Sequence, residues 1–308
     1  MEIKVASFNL NNLFSRFNWS GTIDPADPDV VYLERDKDGN VTELADVEYV
    51  VQRASDDRKR LFRGQLIKAK DPEMTTAVAE RIGMIDADVL LVQEVEDQLA
   101  LEGFNADYLD HSYRQVVVID GNDERLIDVG ILARGELHPG RVTTWKHARN
   151  PEQSPNAVKG IFSRDLLEVE LLDGDGRRML TVFNTHLKSH FVDEWNAEEH
   201  RKKTPEEITA EQHDADALRR QQADTAADII RTRIGEPVLL AGDMNDPPEA
   251  PAFAAWRQLG LVDALADATE TQPPPASANP EDAPTSVLWS DRYPRSNAPD
   301  EFRLFDQI

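Results

Sequence analysis

The feature of this chain that most constrains its fold is a succession of short apolar or alternating runs, several of which stop at a polar residue. The runs are roughly four to eight residues long, which is the length typical of β-strands. They lie at 3–8, 89–93, 113–119, 128–133, 166–171, 179–184 and 238–241. Many successive strands follow one another without an intervening helix, and Gly174–Gly176 supplies a tight turn between two of them.

Helical periodicity is restricted to a few segments. In 75–85 the apolar residues Val78, Ile82 and Ile85 recur at helical spacing, and 209–234 can bury one face. A shorter helix is predicted after Pro251, because proline is well tolerated in a first helical turn. Since strands outnumber helices and pair with sequence neighbours, the pattern predicts an α+β fold with mainly antiparallel sheets.

No internal repeat or linker composition divides the chain, so we expect one domain over residues 1–308. Two segments depart from the regular pattern. Residues 18–60 are rich in Asp with weak periodicity, and residues 267–296 carry Pro273–Pro275 and further prolines. Both are predicted to be long loops, the second with polyproline character.

Composition narrows the classes of protein and site. The chain contains no cysteine, which excludes disulfides, thiolate nucleophiles and Cys-ligated zinc. No stretch approaches the roughly 18 apolar residues of a membrane-spanning helix, and the first predicted strand follows Met1 with no secretory leader. We therefore expect a cytoplasmic protein. The sequence gives no prediction of its oligomeric state.

The charge balance is strongly acidic, with 34 Lys and Arg against 58 Asp and Glu and a net charge of −24. Such a surface repels a polyanion, which argues against nucleic-acid binding by broad electrostatic attraction. The carboxylates suit divalent cations. An acidic surface also simply confers solubility, so the charge alone does not decide the function.

Several predicted strands lead into residues that can bind a metal or a phosphate. These residues are Asn9, Glu94, His186 with Lys188, Asp243 with Asn245, and Asp306. The ends of core strands are rigid, so their convergence would build one site. Each residue has an ordinary alternative: Glu94 could mark a strand reaching solvent, Asp243 an Asx turn, and His186 a structural histidine. The hypothesis therefore depends on the ordered set.

In this order the motifs resemble the endonuclease/exonuclease/phosphatase superfamily, which includes deoxyribonuclease I, abasic-site endonucleases, neutral sphingomyelinases and inositol polyphosphate 5-phosphatases. The most specific pieces are Val-Gln-Glu-Val at 92–95 and Gly-Asp-Met-Asn at 242–245. Residues 164–169 also resemble a strand of the bacterial nuclease-like members. The resemblance covers essentially the whole chain. It implies a four-layered α/β-sandwich, with two mixed, mainly antiparallel sheets flanked by helices and the site where their strand ends meet.

The resemblance also implies how a metal and a substrate would be held. Glu94 would be the principal ligand of Mg²⁺, with Mn²⁺ as the alternative ion, because carboxylate oxygen is a hard donor. Asn9 would help to position the metal and the scissile phosphate. Asp128 and Lys188 would line the substrate site.

Four further residues acquire catalytic roles from the resemblance. Asp243 would orient or deprotonate the attacking water, Asn245 would bind a phosphate oxygen, and His186 would donate a proton or stabilise the leaving oxygen. Asp306 matches the aspartate that orients a histidine on the family's last strand. The sequence stops two residues after Asp306, so we expect the chain to be cut short before that strand.

Three functions follow, in order of preference. The leading hypothesis is a Mg²⁺-dependent phosphodiester hydrolase, specifically a nuclease with DNA or RNA as substrate. The second is a phosphatase or phospholipase acting on a small or lipid phosphoester, which the net negative charge favours. The third, from another class, is a non-catalytic binding protein of the same fold that lacks the terminal histidine.

Overall fold

The computed structural model describes residues 2–13, 70, 72–123, 125, 127–149, 160–196 and 201–265, and as backbone residues 30–35, 48–53, 291–293, 301–303 and 306–307. The strands are β1 Val5–Leu13, β2 Val30–Arg35, β3 Glu48–Arg53, β4 Val89–Val95, β5 Gln115–Val118, β6 Asp128–Ala133, β7 His138–Thr144, β8 Leu166–Leu172, β9 Arg178–His186, β10 Trp195–Asn196, β11 Arg201–Lys202, β12 Val238–Asp243, β13 Asp291–Tyr293, β14 Glu301–Arg303 and β15 Asp306–Gln307. The helices are α1 Pro72–Ile85, α2 Gln98–Tyr108, α3 Pro205–Arg231 and α4 Ala254–Gln258, the last entered through a 3₁₀ turn at Pro251–Phe253.

Two mixed sheets form the centre of the fold. The first has the strand order β1-β4-β6-β5, in which β1 and β4 are parallel and the other pairs antiparallel. The second has the order β15-β12-β9-β8-β7, in which only β12 and β9 are parallel. Each sheet therefore contains one parallel pair, and the strands of that pair end at the same edge.

Side-chain alternation along the strands produces the layers. In β4, Leu90 and Val92 pack against α1 and α2, whereas Val89 and Leu91 face the second sheet. In the second sheet, Phe183 packs against α3. Because successive strand residues point to opposite faces, both sheets bury both faces. The predicted four-layered arrangement of helices, two sheets and helices is confirmed.

The structure corrects the prediction for the two long loops. Segment 18–60 contains an antiparallel hairpin of β2 and β3, with Val30 opposite Arg53. Both strands are rich in β-branched and aromatic residues, a β-propensity that the surrounding aspartates obscured. Segment 267–296 includes β13, which pairs with β14. The remaining residues of both segments lie outside the described residues.

Helix α2 and strand β7 are among the other elements that were not predicted. Helix α2 begins after Asp97, whose side chain accepts a hydrogen bond from the Ala100 amide at 2.8 Å, and Gly103 in its middle masks the helical pattern. Strand β7 carries Pro139 and Gly140, which disfavour a strand, but β7 lies at a sheet edge where proline is tolerated. Within the described ranges, no helix is long and apolar enough to cross a membrane.

Candidate active site

The same alternation brings polar side chains together between the two sheets. On β1, Asn9 shares a face with Val5, and on β12, Asp243 shares a face with Ala241, and both faces contribute to the core between the sheets. His186 ends β9 directly beside Asp243 in the parallel pair. The Asn9 Nδ2 donates a hydrogen bond to the Asp243 Oδ2 at 2.9 Å, which joins the sheets at this edge.

Glu94 reaches the same place by a different route. Regular alternation would put Glu94 on the helix-facing side with Leu90 and Val92. Instead its φ is 59°, and the strand pairing shifts register between Gln93 and Val95. A bulge of this kind redirects a side chain. The Asn12 amide then donates to the Glu94 Oε2 at 2.9 Å and fixes the carboxylate.

The turn that supplies this amide is itself unusual. Asn11 and Asn12 both have positive φ values, 50° and 60°. Asparagine tolerates this left-handed conformation better than most residues. The Asn11 amide donates to the Asn9 Oδ1 at 2.8 Å, and the Lys70 Nζ donates to the Asn11 carbonyl at 2.6 Å. The exit of β1 is therefore held by its own local hydrogen bonds and by one lysine.

Glu94, His186 and Asp243 form a group that could hold a metal ion. One ligand atom from each lies within 4.8 Å of the others. The His186 Nε2 is 3.5 Å from the Asp243 Oδ2, and within the described part of the chain the His186 Nδ1 is buried with no hydrogen-bond partner. Two carboxylates and one imidazole fit a divalent cation.

Burial perturbs the two titratable groups that the second sheet contributes to this candidate metal-binding group. It raises the pKa of Asp243 to about 6, although hydrogen bonds from Asn9 and from the Asn245 amide oppose this rise. Burial lowers the pKa of His186 well below its usual range, and the nearby Arg164 and Arg125 lower it further. His186 is consequently a neutral imidazole at pH 7.

Asn245 is fixed from two sides. Its amide donates to the Asp243 Oδ1 at 3.0 Å, and its Nδ2 donates to the Leu187 carbonyl at 3.1 Å. Its φ of 52° is again left-handed. The loop following β12 is therefore tied to the residue following β9.

The sequence resembles a known family of proteins along nearly its whole length. It matches the model of the endonuclease/exonuclease/phosphatase family over residues 7–303. The chain belongs to this family. Its members hydrolyse phosphoesters and generally depend on divalent metals, and the resemblance carried by the motifs is confirmed.

Solved structures resemble the chain more distantly. The human Nocturnin catalytic domain with bound sulfate is 14% identical over 60% of this chain and 62% of that chain, with a TM-score of 0.40. Truncated Caenorhabditis elegans TDP2 is 17% identical over 76% and 74%, with a TM-score of 0.42. ANGEL2, described as a 2',3'-cyclic phosphatase, is 18% identical over 59% and 46%, with a TM-score of 0.39. The chain thus spans less than two thirds of the Nocturnin domain. No curated protein matches it.

This family member also has a cationic side to its site, despite its net charge of −24. The buried Arg164 forms an ion pair with Asp123 at 3.2 Å, and Asp123 also holds Arg125 through two contacts of 3.1 Å. Lys188 is half-buried, and its pKa is lowered by burial and by Arg164 and Arg125. Arginine at the entrance of an apolar strand was the available sequence signal for this feature.

The remaining predicted site residues lie around this group. Asp128 is buried at the start of β6, opposite Val95, and its Oδ1 accepts the Gly121 amide at 2.7 Å. Burial raises the pKa of Asp128 to about 7. The backbone of Asp306 pairs antiparallel with Asp243, and its side chain lies outside the described residues.

Sequence reasoning missed a buried polar link behind the site. The Gln93 Nε2 donates to the Asn184 Oδ1 at 2.7 Å, and the Asn184 Nδ2 donates to the carbonyls of Val92 and Gly130 at 2.9 and 2.8 Å. These bonds connect the two sheets where their apolar core ends. Gln93 and Asn184 are each a single amide residue in an apolar run, and this was the sequence signal for the link.

Proposed function

We propose that this protein is a divalent-metal-dependent phosphodiesterase that acts on nucleic acid. The observation that supports it best is the approach of Glu94, His186 and Asp243, whose ligand atoms lie within 4.8 Å of one another. These residues come from both sheets, and Asn9 and Asn245 add hydrogen-bonding groups around Asp243. Hydrolysis of a phosphodiester requires this combination of charge neutralisation, water positioning and leaving-group stabilisation.

In this proposal Glu94 holds Mg²⁺ or Mn²⁺, and Asn9 positions it together with the scissile phosphate. When bound, the ion would neutralise charge on the phosphate oxygens. Asp243 orients the attacking water and accepts its proton. The hydrogen bond from Asn9 keeps the Asp243 carboxylate in one orientation, so the acceptor oxygen is fixed before substrate arrives.

The other residues bind the phosphate and the leaving oxygen. Asn245 uses one Nδ2 hydrogen for the Leu187 carbonyl, and the second is available to a phosphate oxygen. His186 stabilises the leaving oxygen as a neutral hydrogen-bond donor. Lys188 adds positive charge at the substrate side, and Asp128 lines that side. Asp306 matches the family aspartate that orients a histidine, and none of the seven histidines of this sequence follows it.

A nuclease is the preferred assignment because the motif neighbourhoods are nuclease-like and the site has cationic residues that suit a phosphate chain. The second candidate is a phosphatase or phospholipase acting on a small or lipid phosphoester. The observation that favours it is the net charge of −24, which opposes the approach of a long polyanion.

The test uses the full chain with plasmid DNA, single-stranded RNA, bis-p-nitrophenyl phosphate and p-nitrophenyl phosphate, each in EDTA and after addition of Mg²⁺ or Mn²⁺. We expect the diester and at least one nucleic acid to be cleaved only with metal. Cleavage of the monoester alone would favour the second candidate. Full activity in EDTA, or no hydrolysis with either metal, would reject the proposal.

A further inference from the structure

The segment that leaves β9 is held more completely than its position in a loop requires. The Leu187 amide donates to the Asp243 carbonyl at 3.0 Å, which extends the ladder between β9 and β12 by one residue. The Leu187 carbonyl accepts two side-chain donors, the Arg164 Nη1 at 2.9 Å and the Asn245 Nδ2 at 3.1 Å. Both backbone groups of Leu187 are therefore bound.

The next residue, Lys188, is bound on both backbone groups by one helix. The Gln222 Oε1 accepts the Lys188 amide at 2.8 Å, and the Arg219 Nη1 donates to the Lys188 carbonyl at 2.8 Å. Arg219 and Gln222 are three residues apart on α3 and so lie on the same helix face. Together they hold the backbone that carries the Lys188 side chain.

The two α3 residues also reach the neighbouring loops. The Arg219 Nε donates to the Asp246 Oδ2 at 2.9 Å, and Asp246 directly follows Asn245. The Gln222 Nε2 donates to the Ile161 carbonyl at 3.0 Å, in the segment that precedes β8. One polar pair on α3 thus links the exits of β9 and β12 with the entrance of β8.

The placement of this pair is costly for the fold itself. Arg219 and Gln222 are each 1% exposed, on a helix face otherwise formed by apolar residues such as Ala223, Ala226 and Ile230. A buried arginine needs compensating partners for its donors, and an apolar side chain of similar size often stabilises a fold as well or better. Their partners are backbone and side-chain groups beside the site, which favours a functional reason for their presence.

From these contacts we infer that Arg219 and Gln222 are positioning residues, which hold Lys188 and Asn245 in the geometry that receives the substrate phosphate. They do not touch the substrate. The inference rests on the proposed function and adds to it two residues of α3 that lie outside the motifs in strands. Two residues that help to position the phosphate-binding groups would thus lie on α3, the helix that packs against the second sheet.

The principal variant is Gln222→Met, with Gln221→Met on the same helix as its matched control. We expect Gln222→Met to lower kcat/KM for bis-p-nitrophenyl phosphate about tenfold or more, in the range typical of residues that orient a binding group. Mg²⁺ affinity, measured by calorimetry without substrate, should change less than about twofold, because the bonds of Gln222 go to Lys188 and Ile161 and not to the metal-binding group. Gln221→Met should change neither quantity.

A double-mutant cycle separates positioning from a general structural role. If Gln222 acts through Lys188, Gln222→Met should cause less than about a twofold further loss in a Lys188→Met background, whereas independent effects would multiply. Arg219→Lys, which retains the charge and one donor nitrogen, should lose less activity than Arg219→Met. Multiplicative losses in the cycle, or a loss of Mg²⁺ affinity in proportion to the loss of activity, would overturn the inference.

Hydrogen exchange tests the inference without enzyme activity. In the wild type the Lys188 amide is bound to Gln222, so the peptide that contains it should exchange slowly. Gln222→Met should accelerate exchange there, while peptides from the core of β4 remain unchanged. Unchanged exchange at Lys188 would overturn the inference even in an active enzyme. An inactive wild type with the expected exchange would instead reject only the proposed function.

Discussion

The two halves of the candidate site are held by different means. In the half formed by β1 and β4, a local turn holds the site residues. Asn11, Asn12 and Glu94 have a left-handed backbone, and the Asn12 amide donates to the Glu94 carboxylate. In the half formed by β9 and β12, side chains from distant elements fix the backbone, with Arg219 on α3 as one of the donors. The first half stores backbone strain, and the second buries polar groups.

This difference has an energetic consequence. A left-handed residue other than Gly, Asn or Asp costs roughly 1–2 kcal/mol, so a single substitution in the turn of the first half should change the free energy of unfolding only modestly. The second half depends on close backbone approach and on buried hydrogen bonds, so the loss of one component leaves further buried groups unsatisfied. We therefore expect substitutions in the second half to affect folding, and substitutions in the first half to affect mainly metal binding and activity.

The largest effect is expected at Gly242 in the second half. Its φ is 144°, and a Cβ there would lie 1.9 Å from the Thr185 carbonyl oxygen on β9. Gly242→Ala should lower the free energy of unfolding by more than about 4 kcal/mol, because the parallel pair must separate. Urea unfolding followed by circular dichroism measures the change.

The matched control for this substitution is Gly176→Ala. Gly176 has a φ of 77°, but a Cβ at this position would have no described atom within 4 Å. The variant should lose only about 1–2 kcal/mol, the cost of the left-handed conformation. Equal losses at the two glycines would show that close packing between β9 and β12 is not what the second half depends on.

In the first half, Glu94→Gln should reduce activity with little effect on folding. Removal of one oriented charge at a transition state typically costs about 10²–10³-fold in kcat. We expect this loss together with a weaker Mg²⁺ affinity and an unchanged urea midpoint. The control is Glu80→Gln, the same substitution on the exposed side of α1. A Glu94→Gln enzyme with wild-type activity and metal dependence would exclude Glu94 as the metal ligand.

Asp128 provides a pH-dependent test on β6, the antiparallel neighbour of β4. Its pKa is raised to about 7 by burial, against about 3.9 for an aspartate in an unfolded chain. Because the folded-state pKa is the higher one, the group stabilises the fold below about pH 4, and this contribution is lost as the pH rises through about 7. The difference between the two pKa values limits this contribution to the free energy of unfolding to roughly 4 kcal/mol.

Asp128→Asn should therefore stabilise the protein at high pH. The asparagine amide brings an N–H donor that needs a partner, which reduces the gain. We expect the free energy of unfolding to rise by roughly 2 kcal/mol at pH 8 and not to rise below about pH 4. Urea unfolding at about pH 4, 6 and 8 measures this, with the exposed Asp107→Asn as control. A pH-independent change in stability would show that the Asp128 carboxyl does not titrate with a raised pKa.

The smallest effect is expected at Asn12, whose φ is 60°. Asn12→Gly keeps the amide and suits this backbone, so it should preserve Mg²⁺ affinity. Asn12→Val keeps the backbone amide but disfavours the left-handed region. Its free energy of Mg²⁺ binding should be less favourable than that of the glycine variant by about 1 kcal/mol. Calorimetric Mg²⁺ titration of both variants measures the effect on the site. Tighter binding in the valine variant would contradict a role for this turn in holding Glu94.

Much of this arrangement could be predicted because it depends on a period of two residues. Once strands were placed at 3–8, 179–184 and 238–241, alternation put Asn9, His186 and Asp243 on the face between the sheets. The pattern predicts mainly antiparallel sheets, so the parallel pairs β1–β4 and β9–β12 that align these strand ends became evident only in the structure. The proposed metal-binding role of Glu94 depends on the motif, because alternation alone would direct its side chain toward the helices.

The sequence by itself determined the strands, their faces and the polar residues at their ends, because propensity and periodicity act over neighbouring residues. Only the tertiary structure decided which distant groups complete the site. The bulge that turns Glu94 toward Asp243, and the bonds from Arg219 and Gln222 to Lys188, depend on how two sheets and α3 approach one another. A polar residue in an apolar run indicates that a hydrogen-bond partner is needed when the residue is buried. Which group becomes that partner is decided only when the layers pack.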